Sequence, residues 1–362
     1  GEYDTRTTAP WSTLQNNGIP YINDAYGEND GVGLHHNKFY VFDYNGGDPD
    51  KVWIISGSWN ATDPGTEDDR QNVIEIQDVA LAGAYTTEFN EMWGSSTAAP
   101  NSTNSRFGAR KLNNTPHNFV IGGRKIESYF SPSDRTTSYI GKTLGKAENS
   151  INVALLTFTR QELADSIIAL KNEGGKTRVI LSNDTDLGTE FQYLESNGVD
   201  ILVKGGGAGF LHHKYAIIDA EPLGKTAYLI TGSHNWSSAA ENSNDENTLI
   251  IQDNQIANYY LQEFTARYYE AGGVDSVVVT SIDDKIIPIG FSLSQNYPNP
   301  FNPSTTIQYS IPVGVALNAT TTNVRLKIYD ILGREVATLV NREQSSGSYS
   351  VKFNASNLTS GI

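Results

Sequence analysis

The sequence predicts a two-lobed α/β sandwich made by internal duplication, followed by a small β-sandwich. Three observations predict it. A short pattern occurs twice: His36-Asn37-Lys38, four residues, Asp43 and later Gly57-Ser58-Trp59-Asn60 return as His212-His213-Lys214, four residues, Asp219 and later Gly232-Ser233-His234-Asn235. The repeat also runs past the pattern. Residues 71–78 match residues 246–253, and the same offset joins Ala82 to Ala257, Tyr85 to Tyr260 and Glu88-Phe89 to Glu263-Phe264. A repeat this long is a duplicated lobe rather than a solenoid unit. Finally, the texture changes near Asp275, where alternating strand and helix patterns give way to a Pro- and Asn-rich run and then to strands alone.

The second lobe shows its order clearly. Strands are expected over 125–131 and 151–158, with a helical segment between them. Thr159 is read as an N-cap, with Glu162 completing a capping box for a helix that ends near Asn172. A strand over 178–181, a short helix over 190–196 and a strand over 199–203 follow. The motif strand over 214–219, strands over 227–230 and 247–252, and a long helix over 255–270 close the lobe. The first lobe is shorter at its start, and by internal comparison its opening segment is expected upstream of this chain. The expected boundaries are 1–100 and 101–274 for the lobes, 275–290 for a linker and 291–362 for the tail module. In the tail, Asn and Pro crowd residues 295–303, which excludes a helix or a central strand there. Strands are expected over 305–310, 324–329, 335–339 and 348–353, with a turn at Leu332-Gly333-Arg334. The last strands of that sandwich are expected beyond Ile362.

Composition narrows the function. Cysteine is absent, so disulfides and thiolate metal sites are excluded. No apolar run is long enough to span a membrane as a helix. The net charge is −15, with 26 Lys and Arg against 41 Asp and Glu, which weighs against broad attraction to polyanions or anionic membranes. A local basic cleft remains compatible with that balance.

The repeated pattern carries the chemistry. A His and a Lys two apart on an extended chain share one face, as do a Ser and an Asn two apart. Two such faces brought together set two imidazoles, two ammonium groups and two Ser/Asn pairs around one small anion, which suits a phosphodiester. The paired His-x-Lys-x4-Asp motifs resemble the phospholipase D superfamily over about residues 1–273. The resemblance implies a phosphodiesterase working through a phosphohistidine, with no metal or other cofactor. His36 and His212 are the catalytic pair it implies. Lys38, Lys214, Asn60 and Asn235 would hold the phosphate oxygens, with Ser58 and Ser233 in support. Asp43 and Asp219 end the motif strands and are read as structural pairs or as direct participants. The family position that hydrogen-bonds the catalytic ring is Gln71 in one copy and Glu246 in the other, with Asp68 and Asp69 as alternatives to Gln71. The expectation is that Glu246 raises the pKa of His212 for acid/base duty, while Gln71 orients His36 as nucleophile. The Gln/Glu asymmetry is similar to that of tyrosyl-DNA phosphodiesterases.

The tail resembles the C-terminal sorting domains of type IX secretion cargo, through the run Asn296-Tyr297-Pro298-Asn299-Pro300-Phe301-Asn302-Pro303 and the run Tyr329-Asp330-Ile331-Leu332-Gly333-Arg334-Glu335-Val336. That implies export to the exterior or surface of a Bacteroidetes-type bacterium, with the type IX machinery as partner. The whole chain is therefore expected to be a secreted phosphodiesterase, with phospholipid preferred as substrate. The alternatives are an extracellular nuclease with the same machinery, or a non-catalytic surface protein on the same scaffold.

Other features are read more plainly. His35, His213 and His234 flank the motifs, and the phosphodiester reading accounts for them without a metal. His117 stands alone and reads as a surface residue. The acidic segment 63–69 lacks EF-hand spacing and reads as a solvated loop rather than a Ca²⁺ site. Tyr259, Tyr260, Phe264 and Tyr268 fall at helical spacing and read as core. Gly205-Gly206-Gly207 joins two strands and reads as a rim loop rather than a phosphate cradle.

Overall fold

A computed structural model of the chain describes residues 8–27, 33–221, 226–279, 291–311, 321–345 and 347–356. Residues Gly1–Thr280 form one compact unit and Ser281–Ile362 another. Both lobes therefore belong to the first unit. Most of the expected linker, residues 280–290, lies outside the described residues.

The first lobe comprises α1 (Thr8–Asn16), β1 (Phe39–Phe42), β2 (Trp53–Gly57), α2 (Asp63–Glu67), β3 (Val73–Gln77) and α3 (Val79–Trp93). Its strands form one antiparallel sheet in the order β1-β2-β3. The second lobe begins with β4 (Asn118–Ile121), β5 (Arg124–Ser131), α4 (Thr136–Leu144), β6 (Ser150–Leu155), α5 (Gln161–Asn172) and β7 (Lys176–Leu181). It continues with α6 (Phe191–Ser196), β8 (Asp200–Val203), β9 (Lys214–Ile218), β10 (Tyr228–Gly232), α7 (Ser238–Asn242), β11 (Glu246–Gln252) and α8 (Asn254–Glu270). Its eight strands are ordered β4-β5-β11-β10-β9-β6-β7-β8. The triplet β9-β10-β11 repeats β1-β2-β3, and β6, β7 and β8 add a parallel half. β6 is buried along its whole length, as a parallel strand covered on both faces must be.

The repeat is visible in the caps. Asp78 accepts from Leu81 N at 2.7 Å to start α3, and its counterpart Asp253 accepts from Ile256 N at 2.7 Å to start α8. The capping box expected at Thr159 does not form. Helix α5 starts at Gln161 behind Arg160, which makes no side-chain cap bond. Thr159 N instead donates to Trp236 O at 2.8 Å, and Phe158 bridges Trp236. That tertiary pairing draws Thr159 out of the helix start.

One core joins the lobes. Ile54, Ile76, Leu81 and Tyr85 of the first lobe share it with Ile217, Leu249, Leu261 and Phe264 of the second. A second core lies where Ala216, Ile218, Ile230 and Ile250 meet Ile140, Leu144, Leu163 and Ile167 of α4 and α5. Phe264 and Tyr268 of α8 are buried and Tyr260 partly so, while Tyr259 is exposed. Both motif hairpins turn through a residue in the left-handed region, Asp43 at φ 52° and Asp219 at φ 54°.

The C-terminal unit contains β12 (Ser292–Leu293), β13 (Ser304–Ile311), β14 (Thr321–Tyr329), β15 (Glu335–Ser345) and β16 (Gly347–Asn354). They make a three-stranded sheet, β12-β13-β16, and a two-stranded sheet, β14-β15. Tyr309, Ile311 and Val340 form the small core between these sheets. The expected turn is present: Gly333 N donates to Asp330 O at 2.9 Å with Gly333 at φ 77°.

Candidate active site

The lobes exchange hydrogen bonds in matched pairs. His36 N donates to Asp245 O at 3.0 Å, and His212 N donates to Arg70 O at 2.8 Å. Arg70 and Asp245 are themselves equivalent positions of the repeat. His35 bridges Asp245 in parallel fashion, as Leu211 bridges Arg70. Each histidine motif is thus pinned to the opposite lobe. The two motifs meet around a local pseudo-twofold, as the duplication implies. The histidines lie just ahead of β1 and β9 rather than within them.

Two asparagines lock this interface. Asn72 Nδ2 donates to Thr231 Oγ1 at 2.8 Å across the lobes, and Ser56 Oγ donates to Asn247 Oδ1 at 2.6 Å in the matching place. Their other contacts reach the motifs, with His213 Nδ1 and Asn72 Oδ1 3.2 Å apart and Asn247 Nδ2 donating to Asn37 Oδ1 at 3.2 Å. Ser58 and Ser233 serve the same lock: each accepts from its asparagine's backbone N–H at 3.0 Å. Gly57 and Gly232 come just before, at φ 145° and 150°, and a Cβ on either would collide with the Asn72 or Asn247 carbonyl. Asn72 and Asn247 were not singled out from sequence. Their signal was their place beside Gln71 and Glu246 in the repeated stretch.

Both lysines reach back over their histidines. Lys38 Nζ donates to His36 O at 2.9 Å and Lys214 Nζ to His212 O at 2.7 Å. Asn235 Oδ1 is buried and finds no hydrogen-bond partner. Asn60 is tied by its backbone N–H to Gln71 Oε1 at 2.9 Å. Asp219 accepts from the N–H groups of Glu148, Asn149 and Ser150, a fastening that ends the motif strand.

The orienting groups are crossed relative to expectation. Glu246 does not meet His212; its Oε2 lies 2.7 Å from His36 Nδ1, across the lobe boundary. Gln71 meets neither ring. It accepts from Asn60 N and donates to Gly65 O at 2.7 Å, so it bridges the α2 loop. A carboxylate has no proton to give Gly65 O, whereas an amide both accepts and donates. His212 Nδ1 is held instead by Ser58 O at 3.0 Å. A carbonyl only accepts, so the His212 proton sits on Nδ1 and Nε2 keeps its lone pair.

The expected rise in the His212 pKa is also reversed. Burial pushes it down to about 2, with the charges of Lys214, Lys38 and His36 adding to the effect and the Ser58 carbonyl opposing it. Burial likewise drives the Lys214 ammonium well below its ordinary value, reinforced by Lys38 and opposed by Glu246 and Asp69. For Glu246, burial acts upward, but the charge and hydrogen bond of His36 prevail and hold the carboxyl below its usual range. The site gathers the two histidines and two lysines near Glu246 and Asp69, a donor-rich set suited to an anion.

The flanking groups differ in their contacts: His35 Nδ1 and both ring nitrogens of His234 are buried without a hydrogen bond among the described residues. His213 is buried, with Nε2 3.2 Å from Glu263. His234 is buried, 3.6 Å from Glu241. His117 is not a free surface residue: it stacks on Tyr129 and pairs with Ser128 O at 2.9 Å. The acidic segment folds as α2, capped by Thr62. Lys111 was not singled out from sequence. It sits fully buried between Glu88 and Asp245, the residue whose carbonyl accepts from His36 N. Among the described residues, no group of three or more His, Asp or Glu could hold a metal ion. No helix among them is long and apolar enough to cross a membrane.

Comparison with known proteins gives the family. The chain belongs to the family described as "Cardiolipin synthase, PLD-like domain", which matches residues 1–93 and 140–268. Residues 295–362 match the family described as "Secretion system C-terminal sorting domain". The chain is 32% identical over 140 residues to a mitochondrial cardiolipin hydrolase of Xenopus tropicalis, a match covering 38% of this chain and 63% of that protein. It is 30% identical over 145 residues to a phospholipase D of Rickettsia conorii, covering 40% of this chain and 69% of that protein. The chain thus spans less than two thirds of the length of the first of these relatives. The phosphatidylserine synthase structure from Haemophilus influenzae Rd KW20 shares the fold, with a TM-score of 0.51 at 15% identity, covering 74% of this chain and 70% of that one.

Proposed function

We propose that this phospholipase D-like protein is an exported phosphodiesterase that cleaves phospholipids through a phosphohistidine. One observation carries the reading: the two His-x-Lys motifs meet at one site, and a carboxylate, Glu246, lies 2.7 Å from one imidazole only. His36 is the nucleophile. When its Nε2 attacks phosphorus, the ring becomes a cationic phosphoimidazolium, and Glu246 at Nδ1 stabilises that developing charge. This ground for the role differs from the one read in the sequence, since the carboxylate serves His36 and not His212.

His212 is the acid and then the base. His212 is neutral here first because burial disfavours its charged form, and then because the neighbouring charges of Lys214, Lys38 and His36 repel a proton. A bound phosphodiester anion beside the ring favours its charged form, so His212 takes up a proton from solvent as the substrate binds. As the bond from phosphorus to the leaving alkoxide breaks, His212 Nε2–H protonates the alkoxide oxygen. Neutral His212 then takes a proton from water as that water attacks phosphorus and the P–N bond to His36 breaks. Lys38, Lys214, Asn60 and Asn235 hold the non-bridging oxygens.

The phospholipid substrate is supported by the net charge of −15, which disfavours a polyanion, and by the names of the relatives. The sorting domain supports export by the type IX route of a Bacteroidetes-type cell, with that machinery as partner. The test sets a fluorogenic phosphatidylcholine beside single-stranded DNA, without added metal, for the wild type, His36→Ala and His212→Ala. Lipid turnover lost in both variants is the expected result. DNA turnover lost in both, with no lipid turnover, would overturn the substrate.

A further inference from the structure

Two exposed apolar side chains flank the site at equivalent places of the repeat. Leu34 stands two residues before His36 and is 48% exposed; Phe210 stands two residues before His212 and is 59% exposed. Both are fixed by their backbones to the opposite lobe. Leu34 N donates to Asn244 Oδ1 at 3.0 Å, and its carbonyl accepts from Asp245 N at 2.9 Å. Phe210 N donates to Asp69 Oδ1 at 2.8 Å, and its carbonyl accepts from Arg70 N at 2.8 Å. Asn244 and Asp69 are themselves equivalent positions, so the duplication has kept the whole fixture on both sides.

Single exposed apolar residues are ordinary on any surface. These two are a matched pair, on clamped backbone, at the same step before each catalytic motif. With the backbone clamped at both residues, neither segment can move to carry its side chain into the core. The charge beside Phe210 narrows the choice. Asp63, Glu67 and Asp68 are exposed on the segment that runs into Arg70. Arg70 itself pairs with Glu270 at 3.2 Å. An acidic rim repels nucleic acid and anionic lipid, and suits a headgroup layer that carries cations outward.

We propose that Leu34 and Phe210 form a two-point apolar rim that docks the site on a zwitterionic phospholipid surface. The proposal rests on the phosphodiesterase reading of the site, and it adds the surface on which that site works. The pair enters the boundary of the acyl region from both sides, which brings a headgroup phosphate toward the paired histidines.

The experiment compares the wild type, the two single variants Leu34→Gln and Phe210→Gln, and the double variant. Each is measured by sedimentation with phosphatidylcholine vesicles, by hydrolysis of lipid in those vesicles and by hydrolysis of soluble bis(p-nitrophenyl) phosphate. The double variant should lose about tenfold or more in vesicle binding and vesicle turnover, with each single variant in between. Its turnover of the soluble diester should stay within about twofold of wild type, which also reports a folded site. Vesicle binding and turnover unchanged in the double variant would overturn the proposal. So would binding to single-stranded DNA that depends on the pair while vesicle binding does not. No soluble turnover by the wild type would instead defeat the reading of the site, and sedimentation alone would then decide the docking.

Discussion

The first and second lobes share a three-stranded motif but differ in what covers it. In the second lobe, Ala216, Ile218 and Ile230 lie beneath α4 and α5 in a closed core. Their counterparts in the first lobe are Tyr40, Phe42 and Ile55, and there Tyr40 and Phe42 are exposed along with Trp53. The same alternation of side chains therefore produces a buried face in one lobe and an open apolar face in the other. Period-2 patterning states which residues share a face, and the neighbouring elements decide whether that face is dry. At the site the contrast runs through single atoms. Both lobes supply His, Lys, Ser and Asn on the same backbone frame, yet only the second supplies a carboxylate, and it supplies it to the first lobe's histidine.

The largest effects should come from the histidines. His36→Ala and His212→Ala should each lower kcat on a soluble phosphodiester by about 10⁴ or more, measured by steady-state hydrolysis. A variant that keeps a tenth of the activity would mean that its lobe does not contribute to catalysis. Next comes the buried cation Lys111, which pairs with Glu88 of the first lobe and Asp245 of the second. Lys111→Met leaves Glu88 and Asp245 buried without their partner and should cost about 3–5 kcal/mol in denaturant unfolding. Burial raises Glu88 to a pKa of about 7 even with Lys111 in place, so the variant should take up a proton there on folding.

The orienting pair gives a sharper contrast. Glu246→Gln should reduce kcat roughly a hundredfold and leave KM nearly unchanged, because it removes charge stabilisation at His36. Gln71→Leu should act mainly on KM and stability, because Gln71 ties Asn60 and the α2 loop. Equal kcat losses in both would erase the asymmetry. The last effect is on the wild type's stability against pH and leaves activity at neutral pH untouched. The folded pKa of His212 lies near 2, below its ordinary 6.5, so the folded state binds fewer protons than the unfolded one between those values. Stability is intact above about pH 6.5 and falls as pH drops through that window. His212→Gln should therefore lose less stability on acidification than the wild type, read from thermal melts across pH.

Much of the fold was legible because the repeat and the alternation of strands and helices are local signals. The strands around Ile151, Arg178 and Tyr215 and the helix through Phe264 were each read from a handful of neighbours. Thr159 was misread because a backbone pairing with Trp236, far along the chain, outweighs a capping box. The site was legible as a set of residues, since His36, Lys38, His212 and Lys214 announce themselves by type and spacing. Its wiring was not. Glu246 belongs to the same lobe as His212, yet it serves His36, because the lobes exchange their orienting groups across a boundary that no local pattern reports. Asn72 and Asn247 escaped for the same reason, since their partners Thr231 and Ser56 belong to the other lobe.

The most direct test of the shared, asymmetric site is to trap the covalent intermediate. The protein would be mixed with a soluble phosphodiester, quenched in alkali, where phosphohistidine survives, digested, and the phosphopeptides read by mass spectrometry. Phosphate on the peptide carrying His36, and its absence in Glu246→Gln under the same mixing time, is the expected result. Phosphate on the peptide carrying His212 in the wild type would contradict the assignment and reverse the roles of the two lobes.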